Sequence, residues 1–192
     1  MKDIFEEIYN DKGFMEIVGP IIEIPTVQEM KKYRQHYETS CFDHCLEASY
    51  ICYKYCKKHK LDYVSAARAA MVHDLFLYNW RKRQPDRKGL HAFTHPRTAY
   101  ENASKIIDLN KKEKDIILKH MWPLTIKLPR YRESYLLTVV DKYCALTESY
   151  REIKEENKKL NSYKAVKALE IKDGEFEKTS TMKIKRYKEL KK

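Results

Sequence analysis

The sequence predicts an all-α fold: one helical domain over residues 1–155, then a basic, mainly helical extension over 156–192. Three observations predict it. Apolar residues recur at helical spacing almost throughout. Only 4 Gly and 6 Pro occur in 192 residues, too few for a chain built from many β-turns. Helix-capping residues stand ahead of several of the apolar runs. A hydrophobic share of 43 % also excludes a disordered chain.

The elements follow in order. Asp3–Tyr9 reads as a short helix, and GFMEIVGPIIEIP (13–25) as an irregular stretch. Thr26-Val27-Gln28-Glu29 has capping-box spacing and predicts a helix over 27–37, with His36 in a structural role. Ser40 caps a helix running to Lys58. Its polar face is narrow (Glu47, Lys54, Lys58), so this helix is expected at the centre of the fold. Asp62 caps YVSAARAAMVHDL, where Val64, Ala67, Met71 and Leu75 recur at helical spacing. WRKRQPDRKG (80–89) reads as a loop. Pro96 suits a first helical position, which makes His95 the expected N-cap of a helix to Leu109. Asn110 with Glu113 repeats the capping pattern before KDIILKHM. Pro123 and Pro129 bracket a loop, and a long helix covers 133–155. Within the extension, GEFEKTSTMKIKR suits an extended segment.

Charge is unevenly placed. The chain carries 39 basic and 28 acidic residues, a net +11. Residues 151–192 hold 14 basic and 8 acidic side chains, so +6 of that total lies in the last 42 residues. The tail has no zinc-finger spacing, RNP-like strand pattern or basic-aromatic stripe, so a solvated helical cap is expected there and nucleic acid is not an expected partner. No apolar run approaches the ~18 residues of a membrane span, and no signal-like core opens the chain, so a cytoplasmic protein without a membrane partner is expected.

Cys41, Cys45, Cys52 and Cys56 have the spacing C-x3-C-x6-C-x3-C, which invites a metal-cluster reading. Helix geometry argues against it. At 1.5 Å per residue the two pairs lie ~16 Å apart on one helix, too far to share an ion, and all four fall on the stripe that faces the core. Buried, reduced thiols are expected, with Cys144 among them.

Histidine is more informative. His59, within KKHK, reads as a surface residue. The dipeptide His73-Asp74 proves little alone, because about 0.4 such pairs arise by chance in this composition. Its company matters more. His44 lies on the buried helix, on a face with Ala48, Ile51 and Tyr55. His120 shares a stripe with Ile116, Ile117 and Met121, and Asp141 interrupts LLTVVDKYCAL. Each is an ionisable group on a core-facing side, where an unpaired charge costs several kcal/mol. Four imidazoles and two carboxylates on five helices need a shared partner, and one or two divalent cations supply it. The residue types suit Fe, Mn, Co, Ni or Zn. His95 at a helix N-terminus is expected to be neutral and ligand-competent.

The order His44, His73-Asp74, His95, His120, Asp141 resembles the HD-domain superfamily of metal-dependent phosphohydrolases, in the subset with the pattern H…HD…H…H…D. The resemblance covers roughly residues 36–150. It implies an HD-domain-like helical bundle in which His44, His73, Asp74 and Asp141 hold one metal. Asp74 would bridge to a second metal completed by His95 and His120. The cyclic-dinucleotide phosphodiesterases of this superfamily carry GYP shortly after the equivalent of His120. This chain has Met121-Trp122-Pro123-Leu124 instead, so that activity is not expected. Diadenosine tetraphosphate hydrolases of HD type have a similar length and ligand set, but VVDKYCALTESY around Asp141 departs from them.

The resemblance implies a phosphohydrolase acting on a nucleotide or other small phosphorylated compound, through a metal-bound hydroxide at a dinuclear site. Catalytic roles are expected for Asp74, for Arg97 just after His95, and for His91 as proton donor to the leaving group; a plain loop histidine is the alternative for His91. Arg81, Lys82, Arg83, Arg87 and Lys88 form either a phosphate-contacting loop or a solvated basic surface, with Arg81, Arg83, Lys88 and Arg97 the expected substrate contacts. Lys127, Arg130 and Arg132 are candidates for another wall of the cleft. The same ligands also fit an HD-type di-iron oxygenase, or a non-catalytic, metal-stabilised binding module.

Overall fold

The computed structural model describes residues 4–36, 39–82 and 89–159. Among these it is all-α, with eight α-helices and one two-stranded hairpin. The chain divides into two compact units, Met1–Lys154 and Glu155–Lys192. The expected extended segment of the tail, and Arg83, Arg87 and Lys88, lie outside the described residues. No helix among the described residues is long and apolar enough to cross a membrane.

The first helices are α1 (Ile4–Asn10) and α2 (Lys12–Ile22). The second occupies the stretch expected to be irregular. Asp11 caps it by accepting from the Phe14 amide (3.1 Å). Gly13 and Pro20 read as breakers in sequence, yet each has a place. A Cβ at Gly13 would meet the Tyr53 hydroxyl at 2.9 Å. Pro20 lies on the exposed face with Glu16, where the carbonyl it leaves unbonded can turn to solvent. Phe14, fully buried, meets Tyr50 and Tyr53 edge-on at 5.1 and 5.4 Å between centroids. Such a side chain contributes roughly 1.5–3 kcal/mol by burial.

The helix expected over 27–37 does not form. Pro25 starts a single turn two residues early, α3 (Pro25–Gln28), whose N-cap Ile24 makes no side-chain cap bond. Gln28 instead donates to the Ile22 carbonyl (2.6 Å). A 3-10 turn over Glu29–Lys32 follows, and Tyr33 swings to extended backbone. The hairpin β1 (Arg34–His36) and β2 (Thr39–Ser40) comes next, antiparallel and with an irregular register. His36 therefore belongs to a strand. The Cys41 amide closes this unit on the Tyr33 carbonyl (2.7 Å).

Ser40 caps α4 (Cys41–Lys58) through the Asp43 amide, and this helix is central and largely buried, as expected. Two of its side chains differ from expectation. Glu47 is buried, held by two bonds from Arg151 (2.9 and 2.8 Å), whereas Tyr55 is nearly half exposed. All five cysteines are free and buried, and burial pushes their thiols up, Cys56 to about 12. Asp62 caps α5 (Tyr63–Met71), which packs on α4, α2 and α7 and ends four residues before Leu75.

Helix α6 (His91–Ala103) begins earlier and ends earlier than expected. Its N-cap is Leu90, so His95 lies inside it, a turn past the N-terminus. Helix α7 (Lys111–Lys119) has the expected capping box, with Asn110 and Glu113 each satisfying the other's backbone. The last helix, α8 (Arg132–Lys159), runs four residues beyond the expected end. It is tied into the first unit by Ser134, which donates to Asp115 (2.8 Å), and by Glu133, which accepts from the Asp62 amide (3.0 Å).

Candidate metal centre

Five segments bring the six ionisable residues together. His44 comes from the middle of α4, His73-Asp74 from the turn after α5, and His95 from α6. His120 follows the last residue of α7, and Asp141 lies on α8. All six are buried, or nearly so for Asp141. They form two groups whose ligand atoms lie within 4.8 Å of one another: His44, His73, Asp74 and Asp141, and then Asp74, His95 and His120. Asp74 belongs to both.

Local structure aims the rings. The Nδ1 of His73 bonds the Ala70 carbonyl (2.6 Å), that of His95 the His91 carbonyl (2.9 Å) and that of His120 the Ile117 carbonyl (2.8 Å). A carbonyl only accepts, so each Nδ1 carries a proton and each ring turns its Nε2 inward. This hydrogen bond, rather than an N-cap position, makes His95 ligand-competent. His44 is oriented differently: its Nδ1 meets Glu148 (2.9 Å) and its Nε2 meets Asp141 (3.1 Å). An outer carboxylate on the far nitrogen of an imidazole is the usual support of a metal-binding histidine.

Three observations fit this donor set to cations. First, His95 Nε2 and His120 Nε2 face each other at 2.8 Å, and two lone pairs at that separation repel unless a proton or a cation lies between them. Second, the triangle of those nitrogens and Asp74 Oδ1 has sides of 2.8, 3.2 and 3.6 Å. A cation at its centre is about 1.9 Å from each corner, close to the ~2.0–2.2 Å of metal–ligand bonds. Third, His73 Nε2, Asp74 Oδ1, Gln35 Oε1 and Glu148 Oε2 are buried with no hydrogen-bond partner. Each such atom costs about 1–3 kcal/mol if left so. The other oxygen of Asp74 lies 3.7 Å from His73 Nε2, and His73 lies 3.7 Å from Asp141. The Asp74 carboxylate thus turns one oxygen to each group.

The electrostatics agree. Burial opposes ionisation of Asp74, but His73, His95 and His120 outweigh it and hold the carboxyl well below its usual range. His44 and His73 do the same for Asp141. Burial disfavours charge on His44, yet Asp141 and Glu148 raise it well above its ordinary value. His73 is raised likewise, Cys45, Asp74 and Asp141 overcoming its burial. Burial, with His95 and His73 nearby, lowers His120 to about 3.

Two further residues, Gln35 and Glu148, complete the site. Gln35, on the hairpin, donates to the Asp74 oxygen that faces His73. Glu148 lies seven residues after Asp141, on the same face of α8, and that spacing was the available clue. Around the cluster, His91 stacks on His95 (4.5 Å between centroids, 23°) and Trp80 stacks on His91 (5.4 Å, 14°). The Arg81 guanidinium lies over Trp80 at 5.3 Å, and the Tyr78 hydroxyl meets His91 Nδ1 at 3.0 Å. His91 and Arg81 are therefore linked to the ligand cluster by stacked rings. Arg97 is not brought there. Two residues beyond His95, it points some 200° round α6 and is exposed, beside Glu101. Lys127 and Arg130 line the same groove as Arg97, and Arg132 lines a different one.

No family profile, curated protein or solved structure significantly matches the chain.

Proposed function

We propose that this chain is an HD-type, metal-dependent phosphohydrolase acting on a nucleotide or another small phosphorylated compound. One observation carries the reading: the residues in the order H…HD…H…H…D meet in one buried cluster, with Asp74 shared between two donor groups. The first group, His44, His73, Asp74 and Asp141, would hold one divalent cation, and Asp74, His95 and His120 a second. Among Fe, Mn, Co, Ni and Zn, all accept this nitrogen and oxygen set. When bound, such a pair lowers the pKa of water toward neutrality and stabilises negative charge on phosphoryl oxygens.

The remaining work falls to the chain. Asp74 fixes the spacing of the two groups because it turns one oxygen to each. Glu148 and Gln35 hold His44 and Asp74 in place. His91 lies against His95 and the Tyr78 hydroxyl, and in this reading it donates the proton that the leaving oxygen needs. Arg81, reached through Trp80, is the cation for a substrate phosphate.

Purified chain incubated with nucleotides and sugar phosphates, plus Mn²⁺, Fe²⁺, Co²⁺ or Ni²⁺, should release phosphate or a nucleotide product, and Asp74→Ala should not. Turnover that needs iron and O₂ and releases no phosphate would replace this reading with an oxygenase. Tight metal binding with no turnover under either condition would replace it with a metal-stabilised binding module.

A further inference from the structure

A groove of ≈ 760 Å³ lies between α6, α7 and the segment before α8. Six cations line it: Arg97, Lys111, Lys114, Lys119, Lys127 and Arg130, against one carboxylate, Asp115. That carboxylate is already engaged by Lys119, the Arg130 amide and the Ser134 hydroxyl. Among the described residues, Lys111, Lys127 and Arg130 make no side-chain ion pair, so three cations face the groove without a counter-charge. Thr125 also lines it, and its buried hydroxyl has no hydrogen-bond partner. Phe93, half exposed, adds a flat apolar surface beside Arg97.

We propose that this groove is a second, metal-independent site that binds a polyphosphate chain, with Phe93 offering a stacking surface for an attached base. Length argues for a chain rather than one phosphate. Lys111 and Lys119 are eight residues apart on α7, about 12 Å along the helix, more than a single phosphate spans. Facing argues for a separate site. His91 and His95 share one side of α6, whereas Phe93, Pro96 and Arg97 lie on the other. The proposal stands independently of the phosphohydrolase reading, because it uses none of the metal-binding residues. The two sites still touch through the chain: Pro96 follows His95, and Lys119 precedes His120.

Calorimetric titration of the full chain with inorganic tripolyphosphate, in EDTA, tests it. Binding is expected, weakened at least tenfold by Lys127→Glu or Lys111→Glu and about fivefold by Thr125→Val. Asp74→Asn and Lys58→Glu, the latter outside the groove, should leave it unchanged. No binding, equal loss in Lys58→Glu, or loss in Asp74→Asn would each overturn the proposal. Two further arms identify the source. A nucleoside triphosphate that binds at least as tightly as tripolyphosphate supports the site. A single-stranded oligonucleotide that binds more tightly, and tighter still with length, would overturn it in favour of a nucleic-acid surface.

Discussion

Asp74→Asn is the perturbation with the sharpest consequence, because Asp74 is the only residue common to both donor groups among the described residues. The substitution keeps the shape and removes the charge. Loss of an outer-shell partner of a metal ligand costs 10–100-fold in affinity, and loss of a charged ligand exceeds that, so both groups should weaken by more than about 100-fold, roughly 2.7 kcal/mol each. Asp141→Asn touches only the first group, and His120→Ala only the second. The expected stoichiometry by elemental analysis is therefore two cations in the parent chain, one in each of the latter variants and none in Asp74→Asn. Thermal unfolding gives an independent reading. A cation at 100 times its Kd stabilises by about 2.7 kcal/mol, which for a domain of this size raises Tm by roughly 5–11 °C. Asp74→Asn should show no such rise. A variant that kept both cations, or a parent whose Tm ignored them, would refute the two-group geometry.

Further expectations follow from single contacts. Glu148→Gln weakens the hold on His44 and should cost about tenfold in metal affinity, measured by competition with a chelating dye, while an unchanged affinity would remove Glu148 from the site. Asn110→Ala opens the capping box of α7 and should cost about 1 kcal/mol in urea unfolding; no loss would show that α7 does not depend on it. Asp62, Asp115 and Glu133 resist burial and are held below their usual pKa by neighbouring hydrogen bonds and lysines. The unfolded chain then binds more protons in acid, so their stabilisation is complete above about pH 5 and is lost as pH falls through about 4. A urea midpoint that stayed constant from pH 7 to pH 3 would contradict this sign.

Local chemistry made much of the fold legible. Ser40, Asp62 and Asn110 cap their helices where expected because a cap is a contact within four residues. What depended on distant contacts was not legible. Helix α2 persists through Gly13 and Pro20 because Tyr53 needs the space and solvent takes the freed carbonyl. The hairpin replaces a helix because Tyr33 and Cys41 close it. At the site, the six ligand candidates could be read because charge on a core-facing side demands a partner. The reason for His95 was different from the one expected: it lies inside α6 and is set by the His91 carbonyl, not by the helix end. Gln35 could not be found, since its place beside Asp74 exists only once the hairpin has formed.

The central claim is that the buried histidine–aspartate cluster is a metal site, and elemental analysis of the chain purified without added metal or chelating resin tests it most directly. Two equivalents of Fe, Mn, Co, Ni or Zn per chain are expected, and none in Asp74→Asn prepared in parallel. Metal at background level in the parent, with no uptake when these cations are supplied, would contradict it.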